Sequence, residues 1–174
     1  MKKVRRLSAT NIVLIGFMGS GKSSVGRRLA KDNKAYFLDT DAMIESAEGK
    51  EISKIFEEEG EEYFRFLERT TARWLKNNVN EAVISTGGGM LVYCEELKEV
   101  GRVVYLKVPF KTILSRMNKE ELEKRPLFKD AQKAEKIYNE RNSIYEKRAD
   151  ITIDADAKPE DVLNRIKDAI QEKV

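Results

Sequence analysis

The sequence predicts a doubly wound α/β fold of three layers, with helices on both faces of a five-stranded parallel sheet. Short apolar runs of strand length alternate with segments of helical pattern along the chain. The runs are continuously apolar, which is typical of strands buried on both faces. Strands separated by helices require right-handed crossovers, and these place the helices in two layers around the sheet.

Five apolar runs are the predicted strands, and each stops at or near a glycine, a proline or an acidic residue. In chain order they cover residues 11–15, 35–38, 82–85, 102–108 and 150–154. The helical patterns cover residues 22–31, 41–48, 52–58, 61–77, 93–100, 110–117, 132–148 and 159–172. Pro159 suits a first helical turn, because its missing N–H would have no partner there anyway.

Length and composition limit the number of domains and the kinds of catalysis that this protein can have. A chain of 174 residues suits one domain, which we place at residues 11–174 after a basic tail at residues 1–10. The single cysteine, Cys94, cannot form an intrachain disulfide, so we expect a reducing, cytoplasmic location. The absence of histidine excludes Ser-His-Asp catalysis and His-ligated zinc.

Charge and hydropathy argue against two kinds of partner. The net charge is only +3, and acidic and basic residues alternate almost everywhere, so we expect no nucleic-acid partner. One alternative stays open, which is that the basic tail at residues 1–10 binds nucleic acid. No apolar segment reaches the roughly 18 residues that span a bilayer, so we expect no membrane partner.

A phosphate-binding loop is predicted at residues 16–23, because GFMGSGKS fits G-x-x-x-x-G-K-[ST]. Glycines let successive N–H groups point at a phosphate, and the following helix presents its positive end there. Lys22 can reach the β- and γ-phosphates, and the Ser23 hydroxyl can bind Mg²⁺. We therefore expect ATP as co-substrate and Mg²⁺ as metal, in a P-loop fold. The predicted nucleotide-binding residues here are Gly16, Gly19, Ser20, Gly21, Lys22, Ser23 and Ser24.

Two carboxylates follow the second predicted strand, Asp39 and Asp41. Residues two apart in an extended strand project to one side, and ligands of doubly wound sheets bind at the carboxyl ends of the strands. One carboxylate can hold Mg²⁺, and the other can accept a hydrogen bond from an attacking hydroxyl group. We predict Asp39 as a metal ligand beside Ser23, and Asp41 as catalytic. The alternative is that Asp41 caps the following helix.

Two arginines and a glycine triplet are candidates for substrate binding. Arg65 and Glu68 lie three apart on a predicted helix, and so on one face. Arg141 lies on an apolar stripe of a later helix, where it needs an anionic partner. The triplet lets backbone approach a ligand closely, and consists of Gly87, Gly88 and Gly89. The structural alternatives are a surface ion pair for Arg65, an internal ion pair for Arg141 and a flexible turn for the triplet.

The segment 118–130, NKEELEKRPLFKD, interrupts the alternation of strands and helices. A polar stretch of this length inside a compact domain is often a mobile lid over an active site. The alternative is a solvated loop or a short surface helix.

Together these residues resemble the shikimate kinase family over about residues 11–170. Six elements carry the resemblance in the family's order. They are GFMGSGKSSVGRRLA at 16–30, Asp39-Thr-Asp41, Phe64-Arg65-x-x-Glu68, Ser85-Thr-Gly-Gly-Gly89, Arg125-Pro-Leu127 and Arg141-x-x-x-Tyr145. Phe128 stands where the family often has leucine.

The resemblance implies an ATP-dependent kinase that phosphorylates the 3-hydroxyl group of shikimate, in aromatic amino-acid biosynthesis. Asp41 would bind the shikimate hydroxyls, and Arg65, Arg141 and the triplet would hold its carboxylate. Arg125 would close over the phosphates as a third catalytic residue, beside Lys22 and Asp41. Adenine would lie between Arg116 and Pro159, and the substrate-binding region would span about 41–77. We expect a monomer.

Two other functions stay open at this point. The first is another small-metabolite P-loop kinase, such as a gluconate or nucleoside monophosphate kinase, against which the Asp-x-Asp pair and the glycine triplet weigh. The second is a nucleotide-dependent switch without a metabolite acceptor. The sequence lacks the Asn-Lys-x-Asp stretch with which GTPase switches read guanine.

Overall fold

Five parallel strands form one sheet in the order β2-β3-β1-β4-β5, which confirms the predicted fold class. The structure is a computed structural model that describes residues 10–118, 122 and 126–172. The tail up to residue 9 and residues 119–121 and 123–125 of the predicted lid, Arg125 among them, lie outside the described residues. The strands are β1 Asn11–Ile15, β2 Phe37–Asp39, β3 Val83–Ser85, β4 Gly101–Lys107 and β5 Ile151–Asp154.

Helices and two 3-10 turns connect the strands within the described ranges. The helices are α1 Lys22–Asn33, α2 Thr40–Glu48, α3 Ile52–Asn78, α4 Met90–Tyr93, α5 Phe110–Arg116, α6 Ala131–Arg148 and α7 Pro159–Glu172. The 3-10 turns are Glu95–Glu99 and Pro126–Lys129. None of the helices in these ranges combines the length and the apolar character that crossing a bilayer needs.

One helical segment differs from the prediction. The helix predicted at 93–100 is instead α4 followed by a 3-10 turn, because Cys94 between them is extended, with φ −130° and ψ 97°. The helices predicted at 52–58 and 61–77 are both present within α3, and the kink between them lies at Gly60, with φ 84° and ψ 175°. An apolar pattern does not distinguish a 3-10 turn from one α-helical turn, since both bring residues three apart together.

Strand β1 lies at the centre of the sheet, paired with β3 on one side and β4 on the other. Its residues alternate between the two faces, where Ile12 and Leu14 join one buried cluster and Val13 and Ile15 join another. Helices α1, α5 and α7 contribute to the first cluster, and α3 and α4 to the second. The sheet is therefore buried on both faces, as its continuous apolar runs predict.

A third, smaller cluster lies away from the sheet and is called the satellite cluster below. It consists of Ile44, Ile55 and Phe64, with Ile52, Tyr63 and Leu67 packed against it. All six belong to α2 and to α3 as far as Leu67, within the predicted substrate-binding region at 41–77. This region has a small apolar core of its own.

The C-terminal end of the predicted lid, residues 126–130, packs against the first sheet cluster, which is the buried cluster that Ile12 and Leu14 join. Phe128 of the 3-10 turn Pro126–Lys129 is buried, and its ring centroid lies 6.1 Å from that of Phe17. Phe17 belongs to the phosphate loop, so this end of the segment packs directly on that loop. The alternative of a fully solvated loop therefore does not hold at Phe128.

Candidate active site

The phosphate loop connects the carboxyl end of β1 to α1. Gly21 precedes the helix in a left-handed conformation, with φ 90° and ψ 12°, and no side chain caps the first turn. A residue with a Cβ is strained in this conformation. The uncapped N–H groups of α1 and its positive dipole end therefore face the cleft, which is the arrangement that binds phosphate.

Lys22 places a positive charge at the centre of this loop. Its side chain is buried, and Nζ donates hydrogen bonds to the carbonyl oxygens of Gly16 at 2.8 Å and Phe17 at 3.1 Å. These bonds hold the ammonium group over the loop. An anion bound by the loop amides would lie beside a fixed cation.

The two predicted metal ligands are in contact. The Ser23 hydroxyl donates to Asp39 Oδ2 at 2.9 Å, and Ser85 Oγ lies 3.2 Å from Ser23 Oγ. Hydroxyl and carboxylate oxygens are the donors that Mg²⁺ prefers. No group of three or more Cys, Asp or Glu side chains that could hold a metal occurs among the described residues. The residues therefore fit a cation that shares its remaining ligands with phosphate and water.

Asp39 also caps α2. Its Oδ1 accepts hydrogen bonds from the N–H groups of Asp41 at 3.1 Å and Ala42 at 3.4 Å. The alternative that Asp41 is the cap is wrong, because α2 begins at Thr40 and Asp41 lies in its first turn. The expectation that Asp39 and Asp41 project to one side of an extended strand is wrong for the same reason. The two carboxylates share the cleft because the chain turns into a helix, not because it stays extended.

Asp41 is the most perturbed carboxylate of the cleft. Its Oδ1 is buried and has no hydrogen-bond partner within the described part of the chain. Burial, followed by the neighbouring charge of Asp39, raises the pKa of Asp41 from 3.8 to about 6, although Lys22 acts in the opposite direction. A carboxylate with a raised pKa and an unused buried oxygen is a suitable base for a hydroxyl group bound in the cleft.

The glycine triplet touches every other part of the site. A methyl group added at Gly87 would lie 2.5 Å from Asp41 Oδ1, and one at Gly88 would lie 3.3 Å from the backbone nitrogen of Met18. A methyl group at Gly89 would lie 3.2 Å from Arg65 Nη1 and 3.4 Å from Arg141 Nη2. One short loop thus contacts the carboxylate, the phosphate loop and both guanidinium groups. The alternative of a merely flexible turn does not account for these contacts.

Arg65 is held by two carboxylates and an aromatic ring. Nη1 donates to Glu68 Oε2 at 2.7 Å, and Nη2 donates to Glu61 Oε1 at 2.9 Å. Its Cζ lies 4.0 Å from the ring centroid of Tyr93. The Arg65 side chain is only 12% exposed and that of Glu68 only 2%, so their contact is not a surface ion pair. Burial raises the pKa of Glu68, and the guanidinium of Arg65 offsets part of this.

Arg141 reaches the cleft from α6. Its Cζ lies 5.9 Å from the ring centroid of Phe17. No ion pair between Arg141 and an acidic side chain is found in the described ranges, so the alternative of an internal ion pair is not supported there. The Arg141 guanidinium donates a hydrogen bond to the Tyr145 hydroxyl, and its charge offsets part of the rise in the pKa of Glu68 that burial causes. Beside Gly89 it can also bind an anionic ligand.

The phosphate loop and the two aspartates line a cleft of about 340 Å³ at the carboxyl ends of β1, β2 and β3. Its lining residues are Met18, Gly19, Gly21, Lys22, Ser23, Ser24, Asp39, Asp41, Ser85, Thr86 and Gly88. The predicted phosphate-loop and substrate-binding residues that do not line it are Gly16, Ser20, Gly87, Gly89, Arg65 and Arg141, and the two arginines lie beside it at Gly89. A larger open cleft of about 650 Å³ near Tyr93 is lined by Glu95, Glu96 and Glu99. These three carboxylates already pair with Arg148, Arg73 and Lys76.

The predicted adenine residues lie together, apart from this cleft. Arg116 ends α5, and its guanidinium donates to the carbonyl oxygen of Ala155 at 3.3 Å and lies 3.5 Å from Asp156 Oδ1. Pro159 begins α7 a few residues later. Arg116 and the chain that enters α7 are therefore neighbours. Their role toward adenine stays a prediction.

Two buried threonines belong to the site and were missed by reasoning from the sequence. The Thr40 hydroxyl accepts a hydrogen bond from the Gly87 N–H at 3.1 Å. The Thr86 hydroxyl donates to the Leu14 carbonyl oxygen at 3.1 Å. Both fix the triplet relative to neighbouring strands. The available signal was a polar residue directly after an apolar strand, beside the acidic pair in one case and the triplet in the other.

Comparisons with known proteins agree with this geometry. The family profile described as shikimate kinase matches residues 18–171. The shikimate kinase of Helicobacter hepaticus is 46% identical over 164 residues, which are 94% of this chain and 98% of that protein. A shikimate kinase of Clostridium botulinum is 48% identical over 142 residues, with 79% and 83% of the two chains covered.

Solved structures give the same result. Shikimate kinase from Acinetobacter baumannii in complex with shikimate superposes with a TM-score of 0.86 at 34% identity, over 96% of each chain. A gluconokinase from Sinorhizobium meliloti superposes with a TM-score of 0.59 at 18% identity, and at that level shares the fold alone.

Proposed function

The chain belongs to the shikimate kinase family, and we propose from this membership that it transfers the γ-phosphoryl group of ATP to the 3-hydroxyl group of shikimate. The products are shikimate 3-phosphate and ADP, a step of aromatic amino-acid biosynthesis. The observation that carries the proposal is the convergence at the glycine triplet, where one loop contacts Asp41, the phosphate loop, Arg65 and Arg141.

The acceptor binds at the end of the cleft where the two guanidinium groups meet. Shikimate carries one carboxylate, on C1 of its ring, and the hydroxyl group to be phosphorylated, on C3. We assign the carboxylate to Arg65 and Arg141, because planar guanidinium groups bind carboxylates in paired, charge-assisted hydrogen bonds. The 2.7 Å contact with Glu68 supports this role, since it fixes the orientation of Arg65. The hydroxyl end then lies toward Asp41 and the phosphate loop.

Transfer depends on positioning and on charge. Asp41 orients the hydroxyl group and accepts its proton, while Lys22 stabilises the negative charge that develops on the phosphoryl oxygens. Ser23 and Asp39 would hold Mg²⁺, which when bound would neutralise part of the negative charge of the phosphates. Arg125 would close over the phosphates from a lid at about 118–130, and adenine would lie between Arg116 and Pro159.

The proposal includes a cytoplasmic monomer with a substrate-binding region at about 41–77. Cys94 supports a reducing location, because it is buried and is not paired in a disulfide. Burial raises the pKa of its thiol to about 12, which is the behaviour of a packed side chain and not of a reactive thiol.

A panel of acceptors tests the function. ADP release is measured with ATP, Mg²⁺ and either shikimate, gluconate, a nucleoside monophosphate or no acceptor. We expect release only with shikimate, and phosphorus NMR should show a phosphate ester on its 3-hydroxyl group. Equal release with gluconate would favour another metabolite kinase. Release that no acceptor stimulates would favour a nucleotide-dependent switch.

Arg65→Ala should raise the KM for shikimate by roughly 10²-fold, because it removes a charged, paired contact with the carboxylate. The KM for ATP should stay within about twofold of wild type, because Arg65 does not line the phosphate cleft. Steady-state kinetics with each substrate varied in turn measure both values.

The matched control for this substitution is Arg73→Ala. Arg73 lies on the same helix, its side chain is 62% exposed, and it pairs with Glu96 at the surface. Its removal should leave both KM values unchanged. If Arg65→Ala also leaves the KM for shikimate unchanged, Arg65 is a structural residue and the carboxylate binds elsewhere.

The rate should fall in acid as Asp41 takes up a proton. A base must be ionised to act, so kcat/KM for shikimate should be level above the pKa of about 6 and decrease below it. The chain has no histidine that could give a midpoint in this range. A pH profile of kcat/KM between 4.5 and 8 measures the midpoint. A profile that stays level down to the ordinary carboxylate range would remove Asp41 as the base.

A further inference from the structure

Tyr145 is a buried side chain of α6 to which the mechanism above gives no role. It is only 1% exposed, and its hydroxyl donates a hydrogen bond to the carbonyl oxygen of Gly88. That carbonyl and the N–H of Gly89 belong to one planar trans peptide, so they point in opposite directions. Fixing the Gly88 oxygen therefore also fixes the direction of the Gly89 N–H.

Gly89 lies beside the two guanidinium groups to which the carboxylate is assigned. A methyl group at Gly89 would lie within 3.4 Å of both Arg65 Nη1 and Arg141 Nη2. Among the described residues, no hydrogen-bond acceptor is found for this N–H. A donor beside two guanidinium groups forms a three-part site for a carboxylate.

The position of Tyr145 is itself fixed from two sides. Its ring centroid lies 5.1 Å from that of Tyr105 on β4, and the two rings are inclined by 51°. It follows Arg141 by one helical turn, so the two side chains lie on the same face of α6. Burial raises the pKa of Tyr145 to about 12, so the phenol remains a hydrogen-bond donor at neutral pH.

We propose that Tyr145 is a positioning residue for the acceptor: its hydroxyl orients the Gly88–Gly89 peptide so that the Gly89 N–H donates to the acceptor's carboxylate between Arg65 and Arg141. The inference rests on the proposed function, because it assigns the carboxylate of shikimate to this site. Because Tyr145 joins α6 to Gly88 and Arg141 lies on the same helix, this hydrogen bond also fixes how far Arg141 lies from the triplet.

Tyr138 provides a matched control for a purely structural role. It lies on the same helix, is also buried, and donates its hydroxyl hydrogen bond to a backbone carbonyl oxygen, that of Val108, at 2.9 Å. Its ring packs against Phe17 and Phe110 in the first sheet cluster. Removing its hydroxyl costs a comparable buried hydrogen bond without touching the triplet.

The experiment compares wild type, Tyr145→Phe and Tyr138→Phe. Both variants keep their ring and should lower the melting temperature, Tyr145→Phe more than Tyr138→Phe, since the Tyr145 hydroxyl also accepts a hydrogen bond from Arg141. Tyr145→Phe alone should raise the KM for shikimate and its calorimetric Kd by about tenfold, with the KM for ATP within about twofold of wild type. Equal shikimate constants in the two variants would overturn the proposal.

Hydrogen exchange of the wild-type protein gives a second test that needs no variant. The Gly89 amide should gain protection when shikimate binds, and an unprotected Gly89 amide in the shikimate complex would overturn the proposal. Failure of the proposed function has a different signature, because wild type would then neither phosphorylate nor bind shikimate. With wild type active on shikimate, the comparison of the two phenylalanine variants decides the role of Tyr145.

Discussion

Lys22→Met should abolish phosphoryl transfer, with kcat reduced on the order of 10³-fold or more. The ammonium group is buried in the phosphate loop, where an interaction with developing negative charge is stronger than it is in water. Methionine keeps most of the side-chain volume and removes the charge. It also removes the two hydrogen bonds that tie the side chain to the carbonyl oxygens of Gly16 and Phe17.

The measurement is single-turnover transfer from labelled ATP, which isolates the chemical step from product release. Lys31→Met is the matched control, because Lys31 lies on the exposed side of the last turn of α1 and should give wild-type rates. A Lys22→Met enzyme within tenfold of wild type would mean that Lys22 only shapes the loop and does not act on the phosphates.

Asp41→Asn should lower kcat by about 10²-fold or more, because asparagine can orient the hydroxyl group but cannot accept its proton. The KM for shikimate should change much less than kcat. Residual activity should lose the acid limb of the pH profile, since the titrating group is gone. Near-normal turnover in this variant would leave Asp41 with a binding role alone.

The same substitution should make the protein more stable at neutral pH. The folded-state pKa of Asp41 is about 6 and its ordinary value is 3.8, so the charged form is disfavoured by folding. The favourable contribution of the protonated carboxyl is complete below the ordinary value and is lost as pH rises through about 6. We expect the free energy of unfolding of Asp41→Asn to exceed that of wild type by roughly 1–2 kcal/mol at pH 8.

Denaturant unfolding at pH 8 and at pH 4 tests this sign. The difference between Asp41→Asn and wild type should shrink toward pH 4, where the wild-type carboxyl is protonated. Asp39→Asn is the contrasting variant, because Asp39 caps α2 and its weakening should lower stability. Lower stability of Asp41→Asn at pH 8 would contradict the assigned pKa.

The sequence predicted those parts of the site that depend on local physics. The phosphate loop, the parallel strands and the Arg65–Glu68 pair follow from spacing over a few residues, and the structure places each of them as expected. The role of Asp39 as the helix cap was missed, because it depends on the one residue at which the strand ends. Sequence patterns are least reliable at such boundaries.

Other contacts could not be predicted from local patterns, because they join distant parts of the chain. The approach of the triplet to Arg141 depends on how α6 packs across the sheet. The family resemblance implies this approach, but nothing near Gly89 in the sequence indicates it. The bond between Tyr145 and Gly88 spans 57 residues. The two residues carry no complementary local pattern, so only the folded chain brings them together.

The satellite cluster under α2 and the first half of α3 rests on three fully buried side chains, whereas each sheet cluster has more than a dozen. Hydrophobic free energy scales with buried apolar area, so the satellite cluster contributes little to the stability of α2 and the adjoining part of α3. Arg65 belongs to this weakly packed region, whereas Arg141 and the triplet belong to the part of the protein built on the sheet. We therefore expect a carboxylate bound between Arg65 and Arg141 to join this region to the rest of the protein, and the region to be more ordered when the acceptor is bound.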